Sequence, residues 1–417
     1  MRYIADFHIH ARYAHATSKL MNIPSLARWG QLKGIQVMGT GDFTHPLWQA
    51  ELQHYLQEAE PGLFSLKPQY QKDVSEKTFA LCRSEQRFLL SSEIATIFRR
   101  NKKVYKLHSL VLAPSFQAIE KISLILGEIG NVVADGRPIL GLDVKDLLKI
   151  VLDVSPDCML IPAHIWTPYF GLFGSKSGFD SVEECFEELT PHIYALETGL
   201  SSNFLMNARL SQLDKYTLLC NSDAHSLPNL GREANVMHTS EFSYYGITNA
   251  LKKNDSAQMV AGIEFFPERG KYYGNGHRAC KMYSDLEETV RNNGICPVCK
   301  RPMTIGVLQR VEQLADRTEE QALQSMHQRF RVLPLQDLIA DFYGVETTSK
   351  KVQALYFTML EHLGCEFYIL LKAPIQDIER YSTLQIAQAI QAMRKGEVTV
   401  QPGFDGEYGK VRFVQNL

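Results

Sequence analysis

Short apolar, β-branched runs alternate with longer stretches of helical period over the first 265 residues. The short runs predict strands over Tyr3–Phe7, Val37–Thr40, Phe88–Ser91, Lys106–Ala113, Cys158–Pro162, Ile193–Glu197 and Thr217–Cys220. The predicted helices are Pro24–Leu32, Pro46–Glu58, Phe116–Leu126, Val144–Val154, Ser181–Leu189 and Asn203–Leu213, with Asp143 and Asp180 at N-cap positions. This alternation predicts a parallel sheet, and about seven units favour a closed or nearly closed α/β barrel.

The pattern changes after residue 265. Residues 266–305 are richer in Gly, Tyr and Cys, whereas residues 306–417 are mostly helix-patterned with a Gly-rich segment near the end. We therefore predict three units: a barrel at 1–265, a small zinc-finger module at 266–305 and a helical C-terminal domain at 306–417.

Composition narrows the class of protein. The 417 residues are 45% hydrophobic and 22% charged, as in soluble globular proteins. Because 44 Lys and Arg face 46 Asp and Glu, no global field attracts nucleic acid, so nucleic-acid binding needs a local patch. The N-terminus lacks a signal-peptide pattern and the apolar windows are interrupted by charges, so we expect no membrane partner. The 8 cysteines are too few for a disulfide scaffold, which favours the cytoplasm.

Several predicted strand ends carry His, Asp or Glu side chains. The segments are Asp6–His10, Thr40–His45, Ser91–Glu93, His108, His164 and Ser222–His225. Residues two apart in an extended chain share a side, so His8 and His10 can face one site. A single such histidine is usually a satisfied core or surface residue. Strand ends of a barrel converge on one face, however, and a buried cluster without metal would leave its charges uncompensated.

We therefore predict a metal centre on that face. Its ligands are His8, His10, Asp42, Glu93, His108, His164, Asp223 and His225. Up to three divalent ions would bring six positive charges, and three carboxylates with one hydroxide would offset about four of them. The remaining charge of roughly two positive units suits a phosphate ester. Imidazole and carboxylate ligands favour Zn, Mn or Fe over Ca, and Mg is a further candidate. We assign catalytic roles to Glu93, Asp223 and His225.

The second unit contains an H-x-x-C pair, His277 and Cys280, and a C-x-x-C pair, Cys296 and Cys299. Two such pairs at this spacing predict one tetrahedral structural zinc ion. A redox role for the C-x-x-C pair and a three-cysteine site without His277 are the alternatives. Because all four ligands close the site, we expect it to stabilise and position, and not to catalyse.

A run of basic residues lies between Glu93 and His108, at a predicted hairpin tip. Its members are Arg99, Arg100, Lys102 and Lys103. A solvated charge run is the ordinary explanation, and a grip on a phosphate backbone beside the metals is the alternative.

The strand-end motifs resemble those of the polymerase-and-histidinol-phosphatase (PHP) superfamily of metallophosphoesterases, over about residues 1–240. The resemblance implies a distorted (βα)7 barrel with a trinuclear metal site. Two positions depart from the superfamily pattern. The second motif, usually Thr-Asp-His, reads Thr40-Gly41-Asp42, and His15 stands one position early for a third histidine after the first motif.

The order of a PHP domain, a zinc module and a helical tail ending in PGFDGEYGK resembles the endonuclease Q group over nearly the whole chain. Thr17–Lys19 and Gly39–Pro46 also match segments of that group. The resemblance implies metal-dependent incision of DNA 5′ to deaminated bases (uracil, hypoxanthine, xanthine) or abasic sites. Damaged DNA is then the partner, in the nucleoid, with a sliding clamp or a helicase as candidate protein partners. Lys19 would lie near the metals and neutralise the scissile phosphate.

A damaged base that is read must leave the helical stack and enter a pocket. The segments after the fifth and sixth predicted strands are candidate walls, with Trp166 and Asn203 as the leading residues. The plainer alternative is that the aromatic residues there pack the barrel rim.

Two other functions explain part of the sequence. A phosphomonoesterase acting on a small phosphorylated metabolite accounts for the metal ligands but not for the module and tail. A non-catalytic DNA-binding accessory accounts for the module and tail but not for the retained ligand positions.

Overall fold

The computed structural model describes residues 2–324 and 328–413. Its strands are β1 (Arg2–Asp6), β2 (Val37–Gly39), β3 (Leu56–Glu60), β4 (Leu63–Leu66), β5 (Arg87–Arg100), β6 (Lys103–Ala113), β7 (Ile139–Leu140), β8 (Met159–Pro162), β9 (Ala195–Glu197), β10 (Thr217–Leu219), β11 (Ala234–His238), β12 (Met259–Glu264), β13 (Asn275–His277), β14 (Met282–Ser284), β15 (Arg329–Arg331), β16 (Val398–Gln401) and β17 (Lys410–Phe413). Its helices are α1 (Ile23–Lys33), α2 (Pro46–Tyr55), α3 (Pro68–Glu76), α4 (Phe116–Ile129), α5 (Val144–Val154), α6 (Val182–Phe186), α7 (Phe204–Ala208), α8 (Tyr244–Lys253), α9 (Leu286–Arg291), α10 (Val307–Leu314), α11 (Glu319–Leu323), α12 (Leu335–Tyr343), α13 (Lys350–Leu363), α14 (Glu366–Leu371), α15 (Ile375–Tyr381) and α16 (Leu384–Lys395).

Most elements that the sequence predicts in the first 265 residues are present, but β5 runs on to Arg100, well past the predicted end at Ser91. The sequence pattern did not predict β3, β4, α3, β7, β11, α8 or β12. Helix α5 has the predicted bounds, and Asp143 caps it by accepting a hydrogen bond from the Lys145 N–H at 3.0 Å. The predicted cap at Asp180 is wrong. The hydroxyl of Ser181, one residue later, accepts from the Glu184 N–H at 3.0 Å and begins α6.

The main sheet is mixed, so the prediction of a parallel sheet is wrong for part of it. β1 pairs with β2 and β2 with β5 in parallel, but β6 pairs antiparallel with both β5 and β8. The reason is that β5 and β6 form one long hairpin that turns at Asn101 and Lys102, both with positive φ. The predicted helix Pro46–Glu58 also ends early, at Tyr55, because β3 pairs with β4.

The strands that surround the site are buried on both faces, between two apolar clusters. Ala5 and Phe7, two apart around the end of β1, join one apolar cluster, whereas Met38 and Leu90 join the other. The two-stranded β9–β10 sheet adjoins the main sheet at the strand ends. The Ile165 N–H donates to the Glu197 carbonyl at 3.0 Å, and Ile9 forms a parallel bridge with Ala224. These links bring the segments that follow β1, β8, β9 and β10 together at one place.

The chain after β12 forms a small module and a helical domain. The module contains the β13–β14 hairpin and α9, and β15 then returns to pair in parallel with β12 of the main sheet. The helical domain docks on α1 through a buried ion pair between Lys33 Nζ and Glu366 Oε2 at 2.7 Å. The Tyr356 hydroxyl donates to the same Glu366 oxygen. Within the described ranges, we find no helix with the length and apolar character that a bilayer span requires.

Candidate metal centre

Two histidines that follow β1 point into a buried centre. The side chains of His8 and His10 have no exposed surface. The His8 Nδ1–H donates to Glu197 Oε2 at 2.9 Å, and the His10 Nδ1–H donates to Asp42 Oδ1 at 3.0 Å. Because a carboxylate on one ring nitrogen fixes the tautomer and raises ligand basicity, both Nε2 atoms are prepared to bind a metal.

Glu93, near the middle of β5, is the carboxylate around which the other groups gather. Its Oε1 lies 2.7 Å from His108 Nδ1 and 2.9 Å from His164 Nε2. Its Oε2 lies 3.3 Å from His10 Nε2 and 3.1 Å from Arg137 Nη1. The two oxygens of one fully buried carboxylate therefore face two different sets of partners.

The ligand atoms form two groups that share Glu93. In the first, the atoms of His8, His10, Glu93 and Asp223 all lie within 4.8 Å of one another. In the second, the atoms of Glu93, His108 and His164 do so. A carboxylate shared by two such groups could serve two metal ions.

The buried polar atoms fit metal ions better than they fit one another. His8 Nε2 is buried and has no hydrogen-bond partner in the part of the chain that the structure describes. It lies 3.6 Å from Glu93 Oε1 and 3.7 Å from Asp223 Oδ1. A buried nitrogen without a partner carries the full cost of desolvation, which coordination to a cation would offset.

Electrostatics prepare Glu93 and His108 for metal binding, whereas the carboxylates beside His8, His10 and His164 outweigh burial and raise the pKa of those three rings. Burial alone would raise the pKa of Glu93, but His108 and His8 beside it hold that pKa well below its usual range. Burial lowers the pKa of His108 to about 4 against the opposing charge of Glu93. Glu93 is thus ionised and His108 neutral near pH 7, so each offers a lone pair.

Three residues of the centre hold a backbone conformation that non-glycine residues rarely adopt. Asp42, His164 and Asp223 have φ values of 48°, 29° and 47°. Such conformations cost about 1–3 kcal/mol each and occur where the surroundings enforce them, often at functional sites. Here the His164 N–H donates to Glu197 Oε1 at 3.0 Å, so Glu197 anchors both His164 and His8.

Three predicted residues lie outside the two groups. Asp42 stands behind His10, because its Oδ1 accepts from the His10 ring and its Oδ2 from the Ala11 N–H at 2.6 Å. The His225 ring lies 4.3 Å from that of His10, and its Nδ1–H donates to the Asp223 carbonyl. Lys19 is exposed and donates to the Arg12 carbonyl at 3.3 Å, so the structure does not bring its amine to the ligands.

The basic run at the tip of the β5–β6 hairpin divides into two kinds of residue. Arg99 and Lys102 are exposed. Arg100 instead pairs with Asp143 at 2.8 Å and with Glu187 at 3.2 Å. Lys103 donates to the Gly178 carbonyl at 2.9 Å. Half of the predicted phosphate grip is therefore engaged within the protein.

Trp166 and Asn203, the predicted pocket walls, serve the packing of the rim. Trp166 is buried and its Nε1–H donates to Asn207 Oδ1 at 2.8 Å. Asn203 caps α7 by accepting from the Met206 N–H at 2.9 Å. The structure thus favours the plainer alternative, because both polar groups are satisfied internally.

A cleft of about 780 Å³ opens beside the metal centre, between the barrel rim, the module and the C-terminal loop. We call it the rim cleft. Its lining includes Thr167, Tyr169, Arg232, Lys271, Tyr272 and Tyr408. Thr167 Oγ1 lies 2.9 Å from His164 Nδ1, and Arg232 Nη2 donates to the Asp223 carbonyl at 3.1 Å. Two residues of the cleft wall therefore touch two of the candidate metal ligands.

The second candidate metal site lies in the module. The ligand atoms of His277, Cys280, Cys296 and Cys299 all lie within 4.8 Å of one another. His277 Nδ1 is 3.2 Å from Cys280 Sγ and 3.3 Å from Cys299 Sγ. One imidazole and three thiols at these distances suit a structural zinc ion.

The Gly-rich C-terminal loop is attached to this module. Asp405 accepts from the Arg278 N–H at 2.6 Å and from the Thr304 hydroxyl at 2.5 Å. The Gly274 N–H donates to the Gly403 carbonyl at 3.0 Å. The module and the loop thus form one side of the rim cleft.

Sequence reasoning missed two residues of the centre. Glu197 ends a predicted strand, so its carboxylate stood in the same kind of position as the other candidates. Arg137 carries no comparable signal, because it lies in a loop before the two-residue strand β7.

Comparisons with known proteins find relatives by sequence and by structure. A family model described as the MJ0043 C-terminal domain matches residues 334–397. The uncharacterized protein YqxK of Bacillus subtilis is 31% identical over 310 residues, which cover 73% of this chain and 74% of that protein. The uncharacterized protein MJ0043 of Methanocaldococcus jannaschii is 31% identical over 291 residues. That match covers 66% of this chain but spans only 35% of the relative.

Two solved structures match the whole chain. One is the lesion-specific endonuclease PfuEndoQ from Pyrococcus furiosus, with a TM-score of 0.85, 27% identity and 96% of its chain covered. The other is endonuclease Q in complex with a 27-mer duplex that carries an abasic lesion at the active site, with a TM-score of 0.83, 26% identity and 97% of its chain covered.

Proposed function

The chain belongs to the endonuclease Q family, and from that premise we propose that it is a DNA repair endonuclease, a hydrolase acting on ester bonds. Its reaction would be metal-dependent hydrolysis of the phosphodiester bond 5′ to deaminated bases (uracil, hypoxanthine, xanthine) or abasic sites. The observation that carries the proposal is the buried Glu93 shared by two ligand groups. The abasic duplex bound by a relative supports the class of substrate.

Active-site ions would be held by the two groups described above. His8, His10, Glu93 and Asp223 would hold one ion, and Glu93, His108 and His164 a second. Divalent ions bound there, with Zn, Mn or Mg as candidates, would lower the pKa of a bound water and neutralise charge on the phosphate. His225 and Asp42 remain candidates for a third ion.

The chain's own residues prepare the centre before substrate arrives. Glu197 and Asp42 orient the His8 and His10 rings, and burial keeps His108 neutral. Arg232 holds the carbonyl oxygens of Ser222 and Asp223, which fixes the strained segment that carries the Asp223 carboxylate. The side chains that would hold the ions are therefore in position before a phosphodiester arrives.

The damaged nucleotide would enter the rim cleft. Tyr169, Tyr272 and Tyr408 are 58%, 40% and 73% exposed, so their rings are available to stack on a base. Lys271 lies over the rings of Tyr272 and Tyr408, where its charge can meet a phosphate. These residues replace Trp166 and Asn203 as the proposed substrate contacts.

We also propose the barrel architecture, the cellular location and the protein partners that the sequence predicts. The strands that meet at the centre would correspond to a PHP-type distorted (βα)7 barrel, followed by the zinc-finger module and the helical domain. The protein would work in the cytoplasm at the nucleoid, with a sliding clamp or a helicase as a candidate partner.

A phosphomonoesterase acting on a small metabolite is the second candidate. The closed metal centre alone is compatible with it. The rim cleft favours nucleic acid, because exposed tyrosine rings and Lys271 line it, a combination that suits stacking on bases and contact with phosphates.

Incision of end-labelled duplexes separates the two candidates. Each duplex carries one uracil, hypoxanthine, xanthine or abasic site, with an undamaged duplex and p-nitrophenyl phosphate as controls, with and without added Mn, Mg or Zn. We expect a metal-dependent cut on the 5′ side of the lesion. Equal cutting of undamaged duplex, or hydrolysis of p-nitrophenyl phosphate alone, would contradict the proposal.

A further inference from the structure

A partly buried arginine from outside the predicted ligand set reaches the metal centre. The side chain of Arg137 is 23% exposed, and its Nη1 donates to Glu93 Oε2 at 3.1 Å. It belongs to the loop between α4 and β7. Both Glu93 and Asp223 favour its charged form. A permanent positive charge therefore stands beside the carboxylate that both ligand groups share.

The loop that carries Arg137 is fixed from three sides. The Gly136 N–H donates to the Tyr13 carbonyl at 3.1 Å, on the segment after β1. The His45 Nε2–H donates to the Val133 carbonyl at 3.1 Å, on the segment after β2. The Ala95 N–H of β5 donates to the Pro138 carbonyl at 3.0 Å. His45, which neither ligand group contains, thus helps to position the loop.

Residues next to Arg137 restrict its backbone further. Pro138 follows it and disfavours a helical conformation at residue 137. Gly136 precedes it, and a Cβ at that position would stand 2.6 Å from Asp42 Oδ2. The Arg137 N–H donates to Asp135 Oδ1 at 3.0 Å, and the same oxygen accepts from the His15 N–H. The side chain is therefore held at the centre by its surroundings.

Most of the donors of this guanidinium are uncommitted. A guanidinium carries five N–H donors in a planar fork that matches the oxygens of a phosphate. Within residues 2–324 and 328–413, the side-chain hydrogen bond found for Arg137 is the one from Nη1 to Glu93. A purely structural arginine in this protein is bound differently, since Arg100 uses its donors on Asp143 and on two carbonyl oxygens.

We propose that Arg137 contacts the substrate, by donating to a non-bridging oxygen of the scissile phosphate while it remains bound to Glu93. This inference rests on the proposed function, because it takes a phosphodiester as the substrate of the same centre. It gives Arg137 the role that the sequence assigned to Lys19, whose amine is bound to the Arg12 carbonyl at the surface. A charge-assisted pair with phosphate is among the strong hydrogen bonds of proteins, and arginine forms it in a fixed geometry.

Binding of inorganic phosphate to the manganese-loaded full chain tests the proposal without DNA cleavage. We would compare wild type, Arg137→Gln and Arg137→Lys by calorimetry at saturating metal, with bound metal counted by elemental analysis. Arg137→Gln should weaken phosphate binding by about tenfold or more with unchanged metal content. Arg137→Lys should retain part of the affinity, because it keeps the charge but loses the fork.

Arg87→Gln is the matched control. Arg87 pairs with Glu60 through two hydrogen bonds near the start of the same strand β5, so it has comparable chemistry and burial away from the centre. Its substitution should leave phosphate affinity unchanged. Unchanged phosphate affinity in Arg137→Gln would overturn the proposal. Loss of bound metal with normal phosphate affinity in the molecules still loaded would also overturn it, since Arg137 would then only position Glu93.

The two proposals can fail separately. If the wild type binds phosphate and Arg137→Gln does not, but no lesion duplex is cut, then the repair function fails and the role of Arg137 in phosphate binding stands. If lesion duplexes are cut and Arg137→Gln binds phosphate like the wild type, then the role of Arg137 fails and the repair function stands. For the nuclease, added guanidinium should partly restore incision by Arg137→Ala but not by Glu93→Gln.

Discussion

The metal centre of the barrel and the zinc group of the module differ in how far apart their ligands lie along the chain. The zinc ligands come from His277 to Cys299, within one small module. The ligands of the centre run from His8 to Asp223, so they meet only when many strands are in place. The zinc group can therefore close locally, whereas the centre depends on the whole barrel. Substitutions should separate the two accordingly.

Glu93→Gln should produce the largest difference between the two sites. It removes the one carboxylate that both groups of the centre share, so metal-dependent incision should fall by roughly a thousandfold or more. Elemental analysis should show loss of active-site metal with the module zinc retained. Normal incision by a folded Glu93→Gln would show that the metal centre works without the Glu93 carboxylate.

Cys296→Ser should have the opposite pattern. The module should lose its zinc, and a structural zinc contributes about 10–16 kcal/mol in isolated fingers, so the module should loosen while the barrel keeps its metal. DNA incision should fall, because the module forms one side of the rim cleft. Cys158→Ser, at a buried cysteine before β8, is the control. An unchanged zinc count in Cys296→Ser would refute the assigned ligand set.

Glu197→Gln and Asp42→Asn should distinguish residues that orient the ligands of the centre from the ligands themselves. Each carboxylate orients one histidine of the pair, and loss of such a partner typically costs about 10–100-fold in metal affinity or activity. Metal titration of each variant measures this loss, with Glu51→Gln, which alters a partner of Arg12, as the control. If Asp42→Asn instead removes one whole equivalent of metal, Asp42 is a ligand as the sequence predicted.

Neutralising the exposed hairpin residues should have the smallest effect. Arg99→Gln with Lys102→Gln should weaken binding to damaged and intact DNA alike and lower the salt-dependence slope by about 2. Lys121→Gln, an exposed site on α4, is the control. A change in preference among lesions would show that the hairpin reads the damage and does more than grip the backbone.

The sequence predicts side chains at strand ends better than it predicts their partners. His8, His10 and Asp223 follow strands whose pattern is plain, so their meeting could be inferred from the convergence of strand ends. The placement of Asp42 could not, because a carboxylate two residues from a strand end can face a metal or the ring of a ligand. Here the positive φ of Asp42 turns it toward the His10 Nδ1.

A loop residue and a rim residue show which features of the site depend on contacts that the sequence pattern does not reveal. Arg137 enters the centre from a loop whose path is set by contacts with Tyr13, His45 and Ala95, which are distant in sequence. Trp166 resembles a pocket wall in sequence, but its indole N–H is satisfied inside the rim. The direction of β6 could have been inferred, because the hairpin tip predicted between Glu93 and His108 makes β6 antiparallel to β5.

Electron paramagnetic resonance of the manganese-loaded protein tests whether Glu93 joins the two ligand groups into one multinuclear centre. Wild type should give the multiline spectrum of exchange-coupled manganese ions, and Glu93→Gln should lose that coupling. Isolated, uncoupled manganese in the wild type at full loading would contradict the claim.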